Sequence, residues 1–155
     1  MNVCFSVILL AQSVFAPLFN APQWIGTRPS VASYTGKVVI VDIFTFDCIN
    51  CKHVVPELRS LRARYPTKDL LIVGIHTPET PFEHVRASVV QALAMQGISW
   101  PVAIDNDEKL WNAYSTQYWP TQLIFDRHGR LRKTVIGEGQ DDEVTSTVAA
   151  LAAER

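Results

Sequence analysis

Residues Val38–Pro56 read VVIVDIFTFDCINCKHVVP, and this stretch decides the fold. Val38–Phe44 is apolar except at Asp42, the pattern of a strand covered on both faces. A Cys-x-x-Cys pair, Cys48 and Cys51, follows at once. Beyond it Val54, Val55, Leu58, Leu61 and Tyr65 recur at helical spacing, while Glu57, Arg59, Arg62 and Arg64 take the other face. Two thiols one turn apart at a strand-to-helix junction can close and open a disulfide with little backbone movement. Unpaired backbone N–H groups and the helix dipole favour a thiolate at the first of them. Cys48 is therefore the expected attacking thiol, and Cys51, one turn inside the helix, the resolving one. No cofactor is expected beyond this redox-active pair. Pro56 falls inside the helical pattern and should bend the helix, and Pro66 should end it. Asp42 is costly to bury on a central strand unless it has a partner or a task, so it is a further candidate.

The 155 residues, 48% of them hydrophobic, suffice for one core and leave no room for a second full domain. A formal net charge of −1 gives no overall pull toward nucleic acid or an anionic membrane. Arg127, Arg130, Arg132 and Lys133 cluster around a turn and read as a solvated hairpin. Three cysteines are too few for a disulfide-stapled scaffold, which makes any bond functional rather than structural. A metal centre normally wants three or four Cys or His ligands, and His53 gives C-x-x-C-K-H rather than the contiguous haem-attachment pattern, so neither metal nor haem is expected. No charged side chain occurs from Met1 to Thr27, and Val3–Phe15, which includes Cys4, is an apolar run. That run is short for a membrane span but suits the centre of a secretory signal, with small-residue cleavage after Ala16, although no basic residue precedes it. Residues 1–19 are accordingly a candidate signal peptide or hydrophobic segment, a buried strand or helix being the alternative, and 20–155 form the domain.

Residues Asn20 to Gly36, rich in Pro, Gly and Ser, read as an irregular lead-in pinned by Trp24 and Tyr34. Leu70–Ile75 is the next buried strand. Thr80-Pro81-Phe82-Glu83 has the form of a capping box, so a helix is expected from there to Gln96, stopping at Gly97. A short strand at Val102–Ile104 follows, then a short helix capped by Asp105-Asn106-Asp107. Thr121–Phe125 and Leu131–Ile136 form a hairpin around Asp126–Arg130, and Asp141-Asp142 cap a last helix. The order is that of an α/β domain with a central mixed sheet flanked by helices.

The segment Val41–Lys52 resembles the thioredoxin active-site segment, and Pro56 falls where that superfamily has its helix-kinking proline. More narrowly, Cys-Ile-Asn-Cys, Gly74–Glu79, Ala103–Asp107, Trp111-Asn112-Ala113, Tyr118-Trp119-Pro120 and Gly137-Glu138-Gly139 resemble the soluble redox domain of the TlpA/DipZ-like branch, exported or membrane-tethered thiol–disulfide proteins. The resemblance implies a thioredoxin-like fold with a strand–helix insertion over Thr77–Asp105. It implies that Asp42 moves a proton to or from Cys51, and that Trp119, Pro120 and Thr121 form a substrate-binding loop with a cis-proline beside the thiols. It also brings His76 and Glu79 toward the site. Phe44 and Asp47 depart from thioredoxin proper, which has tryptophans there, and Asp47 would repel a thiolate at Cys48 if close and poorly screened. The expected function is thiol–disulfide exchange as an exported reductase, periplasmic or tethered on the outer face of a membrane, with a cytoplasmic location the alternative. Its partners would be protein disulfide substrates and a membrane thiol–disulfide electron donor, with the chain a monomer and no nucleic acid involved. The competing readings are a thiol peroxidase, whose Pro/Thr-rich cysteine loop is not seen here, a non-catalytic peptide-binding module and a metal carrier.

Overall fold

The computed structural model describes residues 14–154, so Cys4 and the apolar run as far as residue 13 lie outside the described residues. The described elements are α1 (Ala16–Phe19), β1 (Trp24–Ile25), β2 (Val38–Phe44), α2 (Ile49–Arg64), β3 (Leu70–His76), α3 (Arg86–Gln96), β4 (Val102–Ile104), α4 (Lys109–Ala113), β5 (Thr121–Phe125), β6 (Leu131–Ile136) and α5 (Asp141–Ala153). Short 3-10 turns occupy Val31–Tyr34 and Pro81–His84.

The strands form one sheet in the order β1-β4-β3-β2-β5-β6. β2 pairs in parallel with β3, from Val38 opposite Leu70 to Phe44 opposite His76, and β3 in parallel with β4. β5 lies antiparallel on the other side of β2, with Asp42 opposite Gln122, and β6 completes the hairpin. Every residue of β2 is buried, which accounts for its continuous apolar run. Its alternate side chains feed two cores. Val38, Ile40 and Phe44 pack with Val55, Leu58 and Leu61 of α2, Val89 and Leu93 of α3, and Val144, Val148 and Leu151 of α5. Val39, Val41 and Ile43 pack on the opposite face with Phe15, Leu18, Tyr34, Leu110 and Phe125. By this alternation Asp42 shares the α2 face.

Several expectations need correcting. The lead-in is not wholly irregular, because Trp24 and Ile25 pair antiparallel with Ala103 and Val102 as an edge strand. The helix expected from Pro81 is divided: the capping box closes a 3-10 turn, Val85 is extended, and α3 starts at Arg86. Gly97 ends α3 with φ +69, a left-handed conformation that glycine adopts at little cost. Gln140, not Asp141 or Asp142, stands at the N-cap of α5; the two aspartates lie in its first turn and complement the helix dipole. The basic cluster is not merely solvated, since Arg130 Nε and Arg132 donate to the buried Asp126 carboxylate at 2.8 and 3.2 Å. Phe15 and Leu18 are also fully buried.

Candidate active site

Cys48 is the N-cap of α2, and its Sγ accepts the Cys51 N–H at 3.3 Å. A half-buried sulfur that caps a sixteen-residue helix faces the positive end of the dipole. Cys51 is 3% exposed, and both thiols are free. Burial first, and then the hydrogen bond with Cys48, push the Cys51 thiol far above its ordinary range, so it needs a proton acceptor before it can attack. Asp42, 1% exposed, lies on the α2 face of β2. Burial raises its carboxyl to about 7, against the opposing bond from Gln122, and Oδ1 has no hydrogen-bond partner. A carboxyl poised near neutral pH can take a proton and return it.

The expected substrate-binding loop leads into β5. The Trp119–Pro120 peptide is cis, and Pro120 is buried. Trp119, partly buried against the α2-side core, donates its indole N–H to the Thr77 carbonyl at 3.0 Å and lies against Trp111, with ring centroids 4.2 Å apart. Thr121 is buried opposite Ile43, and its hydroxyl donates to the Tyr118 carbonyl at 2.7 Å. Thr77 joins this loop to the insertion, since its own hydroxyl donates to Asp105, which also accepts the Leu110 and Trp111 N–H groups that open α4.

Asp47 turns outward. It is exposed and pairs with Lys52 at 3.3 Å, where solvent screens its charge. His76 is fully buried behind the reactive loop rather than exposed to substrate. Its Nε2 accepts the Phe46 N–H at 3.3 Å, which leaves the proton on Nδ1, a buried atom without a partner. Burial lowers its imidazole to about 4, so it is neutral at physiological pH. Glu79 is exposed and offers the site only its backbone N–H, to Glu83. Glu83 is the residue the sequence reading missed. The capping box signalled its cap to Thr80, but nothing local signalled that its second oxygen reaches Thr45 and Asp47. Among the described residues no group of three or more His, Cys, Asp or Glu side chains could hold a metal ion, and no helix is long and apolar enough to cross a membrane.

Fold and site together define a thioredoxin-like protein with a Cys-x-x-Cys pair at the head of a helix. The chain belongs to the AhpC/TSA family, whose profile matches residues 14–134. It is similar to Protein DipZ of Mycobacterium tuberculosis, 38% identical over 124 residues that make up 79% of this chain and 18% of that protein. NHL repeat-containing protein 2 of Homo sapiens is 36% identical over 126 residues, 79% of this chain and 17% of that protein. The chain thus spans less than a fifth of the length of these relatives. Among solved structures it is similar to a thiol-disulfide isomerase from Corynebacterium glutamicum, with a TM-score of 0.78 and 24% identity over 88% of this chain and 99% of that one.

Proposed function

We propose that this chain reduces disulfides of protein substrates through Cys48 and Cys51. The observation that carries the reading is Cys48 at the head of α2, its sulfur on the Cys51 N–H, with the buried Asp42 on the same side of the sheet. In the first step the Cys48 thiolate attacks one sulfur of a substrate disulfide; a mixed disulfide forms and the other substrate sulfur leaves as a thiolate that takes up a proton. In the second, Asp42 accepts the Cys51 proton, Cys51 attacks Cys48 Sγ, and the remaining substrate sulfur departs with the proton. Two electrons have passed to the substrate, and the Cys48–Cys51 disulfide remains. Renewal requires an external dithiol. The TlpA/DipZ-like character and the apolar N-terminal run support an exported domain recharged by a membrane thiol–disulfide donor, with Trp119, Pro120 and Thr121 lining the substrate's approach.

Cys48→Ser is expected to abolish exchange, and Cys51→Ser to accumulate mixed disulfides visible on non-reducing gels. Normal turnover by the Cys48→Ser chain would overturn the mechanism. A faster reaction of Cys48 with hydrogen peroxide than with a disulfide peptide would make the protein a thiol peroxidase instead.

A further inference from the structure

The loop Thr45–Asp47, which joins β2 to Cys48, is bonded to the insertion at each of its residues. Glu83 is 1% exposed. Its Oε2 accepts the Glu79 and Thr80 N–H groups, each at 2.8 Å, and the Thr80 hydroxyl at 3.2 Å. Its Oε1 accepts the Thr45 hydroxyl and the Asp47 N–H, the latter at 3.2 Å. Between these two anchors, Phe46 donates its N–H to His76 and accepts Gln96 Nε2 on its carbonyl at 2.9 Å. A capping box needs only one carboxylate oxygen; here the other is given to the reactive loop. Burial opposes a charge on Glu83, yet the donors from Thr45, Thr80, Glu79 and Asp47 outweigh it and hold the carboxyl below its usual range. A full negative charge therefore stands one hydrogen bond from the residue that precedes Cys48.

We infer that Glu83 is a positioning residue for thiol–disulfide exchange, the point through which the insertion sets both the backbone and the electrostatic field at Cys48. The inference rests on the exchange reaction proposed above. It has two physical parts. The anchored Asp47 N–H fixes the entry into Cys48, whose extended backbone (φ −72, ψ 120) lets its sulfur cap the helix. The fixed carboxylate disfavours a second negative charge nearby, so it biases the pair away from the thiolate-containing dithiol and toward the disulfide, which strengthens it as a reductant.

Glu83→Gln separates these effects from folding. The amide oxygen can serve Glu79 and Thr80, preserving the cap. The NH2 then faces the Thr45 hydroxyl, which can turn to accept, while the Asp47 N–H loses its acceptor and the charge is gone. Expected are a fall of about tenfold or more in kcat for a disulfide peptide, the scale at which misplacement of a reacting group is felt, little change in KM, and a glutathione redox equilibrium displaced toward the dithiol. Thr45→Val, which removes one donor from Oε1 without changing shape, is expected to move kcat in the same direction by less. If Glu83→Gln folds and both its kcat per folded molecule and its redox equilibrium match the parent, Glu83 is a structural cap only. If Glu83→Gln does not fold, a Thr45→Val protein with parental kcat and equilibrium has the same force. Exchange that survives Cys48→Ser undamaged is a different failure: it removes the reaction itself, whereas Cys48-dependent exchange indifferent to Glu83 removes only the positioning role.

Discussion

A carboxyl on a strand covered on both faces has no water to ionise into, and Asp42 carries the consequence. In the unfolded chain it loses its proton near pH 3.9; in the folded protein burial delays that loss to about 7. Between these values the folded state holds a proton that the unfolded state has released, so this residue's contribution to stability declines as pH rises through the window and is fully unfavourable above it. Asp42→Asn is therefore expected to be more stable than the parent at pH 8, by on the order of 4 kcal/mol at most, and no more stable at pH 4. Urea unfolding at the two pH values measures this, and an equal difference at both would refute the buried-acid account. The same variant should resolve mixed disulfides more slowly, since the Cys51 thiol then lacks its proton acceptor; an unchanged rate across pH would remove that role. Asp42 is legible in the sequence because it is the one charge in an apolar run. Glu83 is not, because Thr80-x-x-Glu83 reads the same whether its free oxygen faces water or the Cys48 loop. Glu79 drew attention by its place in a family-like motif, yet its side chain is exposed.

Elements with strong local signals are the ones that sequence reading recovers. β2 and α2 follow from period and from Pro66, and the β5–β6 hairpin from its turn residues. β1 has no such signal: two residues become a strand only because β4 offers them an edge. The 3-10 turn before α3 escapes for a related reason, as a capping box closes either kind of turn and the extended Val85 decides between them. The short helix α1 depends on tertiary packing even more. It is too short to be stable by itself, and it is held by Leu18 and by Phe15, whose ring lies 4.9 Å from those of both Tyr34 and Phe125. Phe15→Ala should cost about 3–5 kcal/mol, as for a phenylalanine emptied from a well-packed core. Because this core lies on the sheet face opposite α2, exchange per folded molecule should stay at the parental rate. A loss below about 1 kcal/mol in a denaturant titration would mean that this anchor is dispensable.

At the scale of the molecule, strand order could be read in part. Parallel β2–β3–β4 follows from alternating strands and helices, but that β5 docks antiparallel against β2, with Thr121 opposite Ile43, is a long-range fact without a local mark. The same blindness hid Arg127, read as part of a solvated turn. Its guanidinium donates to the Gly36 carbonyl at 3.0 Å, to Asp69 at 3.2 Å and to the Ala152 carbonyl at 2.8 Å. These acceptors lie before β2, before β3 and at the end of α5, so one side chain ties the turn after β5 to three separate parts of the chain. Arg127→Ala leaves two carbonyls and a carboxylate without this donor, and at about 0.5–1.5 kcal/mol for each net hydrogen bond to a neutral group the loss should be roughly 1–3 kcal/mol, softened where water reaches the site. Lysine restores charge but not the planar fork, which here serves two acceptors from one nitrogen and a third from another. Arg127→Lys should therefore recover less than half of the loss in urea unfolding. If lysine proves as stabilising as arginine, the contribution of Arg127 is its charge beside Asp69 and not the stitching of three segments.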